Sequence, residues 1–564
     1  MDWIRNYNGQ LAKQDLLASL IVTVMLIPQS LAYAMLAGLP AQVGLYASIL
    51  PLIAYAALGS SMTLAVGPVA VVSLMTAASV GAVATAGTDQ YLAAAVLLAL
   101  MSGAFLLLLG LVRGGFLANL LSHPVISGFI SASAILIAAS QLRHIFGIEG
   151  GGHTLVEILN SLAKNLPNWQ AHTLFLGLAC LAFLFWVRKG LKPLLVQLGI
   201  NDSLADILAK MGPMFAVIAS TLWVATANWN SSGVAIVGAL PAGLPMPSLP
   251  DLDLSLAKEL WPAAVLISLV GFVESVSVGH TLAAKRRQKI QPNRELLGLG
   301  AANIASGLGG GFPVTGGFSR SVVNYDAGAQ TPMAGVFTGV LIAVTALYFT
   351  GAFYYLPKVV LAATVIVAVI SLADFDAIFK VFKYSKSDGM AMLLTIVMVL
   401  AAGVEAGILV GVVCSILCLL ANIGQPHIAE IGRVEGTEHF RSVMRYDVEC
   451  ENCVAAIRFD ERLHFLNAHR LEESIGTVIE RPGIQHVILH CGGINHIDAS
   501  GLDALIEINH RLEQLGIKFH LSEVKGPVTD QLVKSELPQR LTGEIHLSHH
   551  QATCAIGKSA TLAT

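Results

Sequence analysis

The sequence predicts a polytopic α-helical membrane protein with a small α/β domain on its C-terminal side. Two observations predict this. Of 564 residues, 55% are hydrophobic and 12% charged, and mean hydropathy is +0.70. That is about half the charged fraction of a soluble domain, so lipid is the solvent for most of the chain. The charge is also unevenly placed. It is sparse up to about Ala421 and frequent from His427 onward, with the stop signal Ile423-Gly424-Gln425-Pro426 between them. The reading is a membrane domain over 1–425 and a soluble domain over 440–556. A net charge of −3 supplies no basic field for nucleic acid.

The membrane part divides into fourteen apolar segments, near 15–37, 41–59, 64–81, 90–112, 122–146, 172–190, 211–228, 259–283, 294–309, 318–328, 332–351, 355–373, 388–403 and 405–423. Met1 to Gln14 is polar, and the apolar run after it has no small-residue cleavage site, so the first helix is expected to stay as an anchor. The third and tenth segments are too short to span alone, since a crossing needs about 20 residues. Cations test the orientation. Arg5 and Lys13, Arg188 to Lys210, Lys285 to Arg294, and Lys380 to Lys386 all fall on one side of a fourteen-segment path. Asp251, Asp253 and Glu259 fall on the other. Both termini are therefore expected to be cytoplasmic, in a multi-pass protein of the plasma or inner membrane.

An even split gives seven plus seven. Seven is odd, so the second half must cross with opposite topology, as an inverted repeat. Gln29 stands as far before Pro68 as Glu274 stands before Pro313, and both prolines precede a short segment. Paired interruptions of this kind mark a transporter site. A half-helix that starts in mid-membrane presents unpaired N–H groups and the positive end of its dipole, and two facing starts make an anion site. Gly67-Pro68 is expected to open the first half-helix and Ser319 to cap the second, with Arg320 next to it.

Polar residues at depth are functional candidates. Glu274 lies near the middle of segment eight. It could carry a proton, stabilise a cation or pair with Arg320. A guanidinium flanked by the Ser319 and Ser321 hydroxyls suits a doubly charged oxyanion. Gln29, Ser30 and Tyr33 offer uncharged donors on segment one. Glu405, at the start of segment fourteen, is read as structural. In the tail, Val454–Phe459, His486–His490 and Ile517–Val524 read as strands. Leu502, Leu505, Ile508, Leu512 and Leu515 read as one helix face. Cys450 and Cys453 form a CxxC with no companion motif, so reduced thiols are expected rather than a metal site. No ATP-binding motif or catalytic constellation appears, which argues against an enzyme, and no metal or organic cofactor is expected.

Three motifs in order carry a family resemblance. Pro28-Gln29-Ser30-Leu31-Ala32-Tyr33-Ala34 is followed by Leu36-Ala37-Gly38-Leu39-Pro40 and Gly44-Leu45-Tyr46. Ala65-Val66-Gly67-Pro68-Val69-Ala70-Val71 and Gly311-Phe312-Pro313-Val314-Thr315-Gly316-Gly317-Phe318-Ser319-Arg320-Ser321 complete the set. Together they resemble SulP-type sulfate permeases, the family that includes prestin and pendrin. The resemblance implies a core domain and a gate domain moving as an elevator, in a homodimer. It places an anion among Gln29, Tyr33, Val69, Ala70, Ser319, Arg320 and Ser321, with Glu274 as the coupling residue. A sodium-coupled bicarbonate branch lacks the arginine and uses Asp on segment eight. Arg320 with Glu274 therefore points to proton-coupled uptake of a dianion such as sulfate, with Na⁺ as the other possible coupling ion. Bicarbonate or dicarboxylate symport, anion exchange and an anion channel remain alternatives within the family. A nucleobase permease would share the fold but has no use for Arg320. Ile497-Asp498-Ala499-Ser500-Gly501-Leu502 resembles the phosphorylation turn of STAS domains, with Ser500 at the modified position. Ser500-Gly501-Leu502-Asp503 also has the form of a capping box, and the preferred reading of Ser500 is a helix cap. The tail is expected to serve dimerisation, membrane delivery or regulation, with cytosolic partners possible.

Overall fold

A computed structural model of the chain describes residues 2–5, 7–119, 122–244 and 253–562. Asp251 lies outside them. The chain divides into two compact units, Met1–Ser415 and Ile416–Thr564.

The membrane helices are α1 Gly9–Leu36, α2 Ala41–Leu58, α3 Ala70–Val83, α4 Asp89–Leu111, α5 His123–Phe146, α6 Ala171–Trp186 and α7 Gly212–Ala227. The second half repeats the series as α8 Leu254–Lys285, α9 Pro292–Leu308, α10 Phe318–Asp326, α11 Met333–Tyr348, α12 Lys358–Ile370, α13 Lys386–Ala402 and α14 Val404–Gly424. Helix α3 has 14 residues and α10 has nine. At 1.5 Å per residue they measure about 21 and about 14 Å, short of a bilayer core of about 30 Å. They are the two half-helices.

Packing follows the repeat. Helix α8 lies on α3 and α4, as α1 lies on α10 and α11. Helix α5 lies on α13, as α12 lies on α6. Helices α1–α4 thus group with α8–α11, and α5–α7 with α12–α14. Small residues allow a close crossing. A Cβ on Gly103 of α4 would sit 2.8 Å from the Gly300 carbonyl oxygen of α9, so van der Waals packing holds this pair.

Two buried carboxylates pin the irregular links. Glu295 of α9 accepts from Tyr55 OH, from the Ser60 and Ser61 N–H groups and from the Ser60 hydroxyl, all within 3.0 Å. Asp15 of α1 accepts from the Gln330 and Thr331 N–H groups and the Thr331 hydroxyl, ahead of α11. The sequence reading missed both. It placed a single acid, Glu274, near mid-membrane.

The second unit is a mixed sheet of β3 Ile428–Arg433, β4 Phe440–Ser442, β5 Val454–Phe459, β6 His486–His490, β7 Lys518–Ser522 and β8 Ile545–His546, in the order β4-β3-β5-β6-β7-β8. Strands β5 to β8 run parallel. Helices α15 Ala468–Ile479 and α16 Ala499–Gln514 supply Leu471, Leu505, Ile508 and Leu512 to a core with Phe459, Leu489 and Phe519. Leu515 follows the end of α16 and is exposed, because the helix stops one residue earlier than its leucine spacing implies. The cap is also corrected. Asp498, not Ser500, caps α16, since its carboxylate accepts from Gly501 N–H at 2.8 Å and from Phe465 N–H at 3.0 Å. Ser500 is left exposed in the first turn.

Candidate anion site

The half-helices start from a crossing of two extended pieces, β1 Val66–Gly67 and β2 Thr315–Gly316, paired antiparallel. Extended backbone at membrane depth must be satisfied by protein. Here it is. Ala65 N–H donates to the Ser321 hydroxyl at 2.9 Å, Ser321 donates on to the Gly317 carbonyl at 2.7 Å, and Gly317 N–H donates to the Ala65 carbonyl at 3.1 Å. Helix α8 braces the other edge. Gly316 N–H donates to the Ser275 hydroxyl at 2.8 Å, and Thr315 donates to the Gly271 carbonyl at 2.6 Å. Asn303 of α9 clasps Val314 through both its carbonyl and its N–H.

The two starts differ from the sequence reading by one to three residues. Pro68 stands before the N-cap Val69 rather than inside the first turn of α3, because the residues preceding it are held extended by β2. Its carbonyl is an acceptor for Arg320. Ser319 does not cap α10. Gly317 occupies the cap, and Ser319 lies exposed in the first turn. Neither half-helix has a side-chain cap, so the first-turn N–H groups of both lack an intrahelical acceptor and no cap replaces it.

Arg320 fills the crossing. It is 2% exposed, and Nη1 donates to the Pro68 carbonyl. Nε and Nη2 have no hydrogen-bond partner among the described residues. A buried guanidinium with open donors is a costly arrangement that calls for a ligand. A Cβ on Gly317 would come within 2.8 Å of Nη2, so a larger residue there would displace the guanidinium.

Gln29 and Tyr33 of α1, Val69 and Ala70 at the start of α3 and Ser321 of α10 are all buried, and Pro68, which accepts from Arg320, directly precedes Val69. Tyr33 and Glu274 both interact electrostatically with Arg320. Glu274 and Arg320 form no ion pair among the described residues. Glu274 is half-buried and lines a narrow apolar cavity of about 30 Å³ with Val71, Val125, Phe129, Val273 and Ile408. No protein hydrogen bond reaches its carboxylate among the described residues. Ser319 is exposed, next to the buried Arg320, and Ser500 belongs to the second unit. Sequence reasoning also missed Ser275 and Asn303, whose roles depend on partners over ten positions away and carry no local signal. Glu405 accepts a hydrogen bond from Ser79 of α3.

Inverted repeats that meet in two half-helices define a membrane transporter rather than an enzyme. Comparison with known proteins gives the family. The chain belongs to the sulfate permease family, whose model matches residues 12–395, and it carries a STAS domain matched over 445–552. It is 34% identical to "Sulfate transporter 4.1, chloroplastic" of Arabidopsis thaliana over 92% of this chain and 76% of that one. It is 33% identical to "Probable sulfate transporter MT1781" of Mycobacterium tuberculosis over 96% and 94%. The fold matches a solved structure of SLC26A9 at TM-score 0.88 and 23% identity, covering 100% of this chain and 92% of that one. The transmembrane domain of the cyanobacterial bicarbonate transporter BicA matches at TM-score 0.61 and 22% identity, covering 73% of this chain and 98% of that one.

Proposed function

We propose that the chain is a secondary active transporter of an inorganic oxyanion, with proton-coupled sulfate uptake as its reaction. The observation that carries this is the buried Arg320 with two unpartnered nitrogens, set between two uncapped half-helix starts. The charges suit a dianion. One guanidinium and two helix starts of about half a charge each sum to about two positive charges. A protonated Glu274 leaves that sum intact, and an ionised Glu274 lowers it by one. Proton and dianion then bind best together, and the loaded site crosses the membrane near neutrality, where net charge is expensive.

In this reading Gln29, Tyr33, Val69, Ala70, Ser319, Arg320 and Ser321 form the binding region, and Glu274 couples the proton. The α1–α4 and α8–α11 group moves as the elevator core against α5–α7 and α12–α14. The protein is a homodimer in the plasma or inner membrane with both termini cytoplasmic. The names of the relatives support sulfate, and the BicA likeness supports testing bicarbonate beside it. The experiment is radiolabelled uptake into proteoliposomes with sulfate, succinate and bicarbonate, under imposed pH or Na⁺ gradients. Sulfate accumulation driven by an inward proton gradient is expected. Accumulation driven only by Na⁺, or none against a gradient, overturns it. The tail serves dimerisation, delivery or regulation, with exposed Ser500 open to modification. Truncation after about Gly436 is expected to lower dimer content or delivery while a folded membrane domain still binds anion.

A further inference from the structure

We propose that a second anion subsite lies at the outer end of α3, an antechamber in which Arg143 captures the anion before it reaches Arg320. It rests on the reading of the chain as an anion transporter. The cavity holds about 630 Å³ and is lined by Leu74, Ala78 and Ala82 of α3, by Tyr91 of α4, by Arg143 of α5 and by His153. Three features give it this role.

The first is its floor. Leu74, Ala78 and Ala82 recur every fourth residue and so share one face of α3. With Ala77 and Gly81 beside them, small side chains leave that face open. Leu74 lies about one turn beyond Ala70, the first residue of the half-helix, so the same helix floors the antechamber and starts at the central site.

The second is the held guanidinium. Arg143 donates from Nη1 to the Gly150 carbonyl at 2.5 Å and from Nε to His144 Nε2 at 3.3 Å. These bonds fix the head, and Nη2 has no protein acceptor among the described residues. An arginine in the last turn of α5 also suits the helix dipole, and that is the alternative the test must separate.

The third is charge. No carboxylate lines the cavity among the described residues. Of the acids nearby, Asp89 and Glu149 are exposed, Glu157 is turned onto His153 N–H at 2.8 Å, and Glu405 accepts from the Ser79 hydroxyl of α3. Cations otherwise concentrate on the opposite side of the membrane, so Arg143 stands against the general bias. A concave wall with one sign of charge raises the local concentration of the opposite ion, and salt weakens it.

The test reads the local potential without transport. A cysteine is placed at Ala82 (Ala82→Cys), on the exposed rim, and sealed vesicles are treated from outside with anionic and cationic methanethiosulfonates. The anionic reagent is expected to react about tenfold faster relative to its cationic twin than with a free thiol, and the ratio to fall with salt. Arg143→Gln is expected to bring the ratio close to that of the free thiol, and Arg143→Lys to keep most of it. Sulfate is expected to slow the anionic reagent equally in an Arg320→Ala background, because the subsite is separate from the crossing. A ratio unmoved by Arg143→Gln overturns the proposal, as does sulfate protection that disappears with Arg320. If Arg143→Gln does not fold, Ala78→Glu serves instead. A carboxylate on the α3 face is expected to cancel the anion preference, and an unchanged ratio overturns the proposal. The ratio does not depend on turnover, so its failure leaves the transport reading standing. Failure of all anion uptake would remove that reading while the ratio is still measured.

Discussion

Glu295 and Glu274 sit on consecutive helices of the same half, and their surroundings are opposite. Glu295 is 1% exposed and accepts four hydrogen bonds from Tyr55, Ser60 and Ser61. Glu274 faces an apolar cavity with no hydrogen bond from the protein among the described residues. Asp15 resembles the first, with three donors from the link before α11. Arg320 resembles the second, with two nitrogens unpartnered. A satisfied charge fixes one geometry. An unsatisfied one is held ready for a proton or an ion. Under the proposed function, the contrast puts Glu295 and Asp15 in the architecture and Glu274 and Arg320 in transport.

The largest effect is expected at the satisfied group. Glu295→Ala leaves the Tyr55 hydroxyl and the Ser61 N–H buried without an acceptor, together with the Ser60 donors. The loss is on the order of 3–5 kcal/mol. Thermal unfolding of the purified protein is expected to shift sharply downward, or the folded protein to be lost. A Glu295→Ala protein as heat-stable as the wild type, but poor in transport, would reverse the assignment.

Arg320→Ala should do the opposite. Removal of an unsatisfied guanidinium leaves only the Pro68 carbonyl without its donor. Heat stability is expected to hold, while dianion affinity falls roughly 10- to 150-fold, the equivalent of about 1.5–3 kcal/mol for a charge-assisted contact. Equilibrium binding of labelled sulfate to detergent-purified protein measures this. Wild-type affinity in a folded Arg320→Ala protein would end the proposal for the crossing. Glu274→Gln is a smaller change, because it keeps shape and removes only titration. Accumulation driven by an acidic exterior is expected to vanish, while anion exchange at equal pH survives within about threefold. A Gln variant that still concentrates anion in response to the pH gradient would show that another group carries the proton.

The same contrast explains what the sequence could and could not show. Apolar runs interrupted by Gly67-Pro68 and Phe312-Pro313 made α3 and α10 legible, because helix breaks have local signatures. The starts of those helices were less legible. Pairing of Val66 with Gly316 holds the backbone extended past the glycine, and a two-residue strand whose partner lies in the other repeat has no local pattern. Satisfaction is the least local property of all. Glu295 stands in the first turn of α9, and only the fold brings Tyr55 to it. Glu274 and Arg320 were visible because charge in a long apolar run is conspicuous whatever surrounds it. In the tail, the Ser500 capping motif was correct in form, but Asp498 stands earlier and also meets Phe465, so its carboxylate takes the cap.

The smallest effect is expected in the sheet of the second unit, where a satisfied histidine extends the comparison. His520 of β7 is 5% exposed, and its Nδ1 accepts from Glu544 N–H at 3.1 Å, next to the edge strand β8. A neutral imidazole that accepts at Nδ1 carries its hydrogen on Nε2, which donates to His486 Nδ1 at 3.1 Å. Protonation would put a hydrogen on Nδ1 against that of Glu544. Burial, and then the charges of His486, His546 and Lys518, hold the pKa down to about 4. The unfolded chain binds this proton near pH 6.5. Neutral His520 therefore contributes stability that is complete above about pH 6.5 and is lost as pH falls through 6.5 toward 4, since the unfolded state takes up the proton first. The tail domain is expected to unfold at lower temperature across that window, with faster exchange of the Glu544 amide after correction for its intrinsic rate. His520→Asn keeps a side-chain acceptor and removes the titration, so it should flatten part of the pH slope. The remainder belongs to His486, His490 and His549, whose pKa values burial also lowers. An Asn variant with the wild-type slope between pH 6.5 and 4 would mean that the Glu544 hydrogen bond does not depend on the protonation of His520.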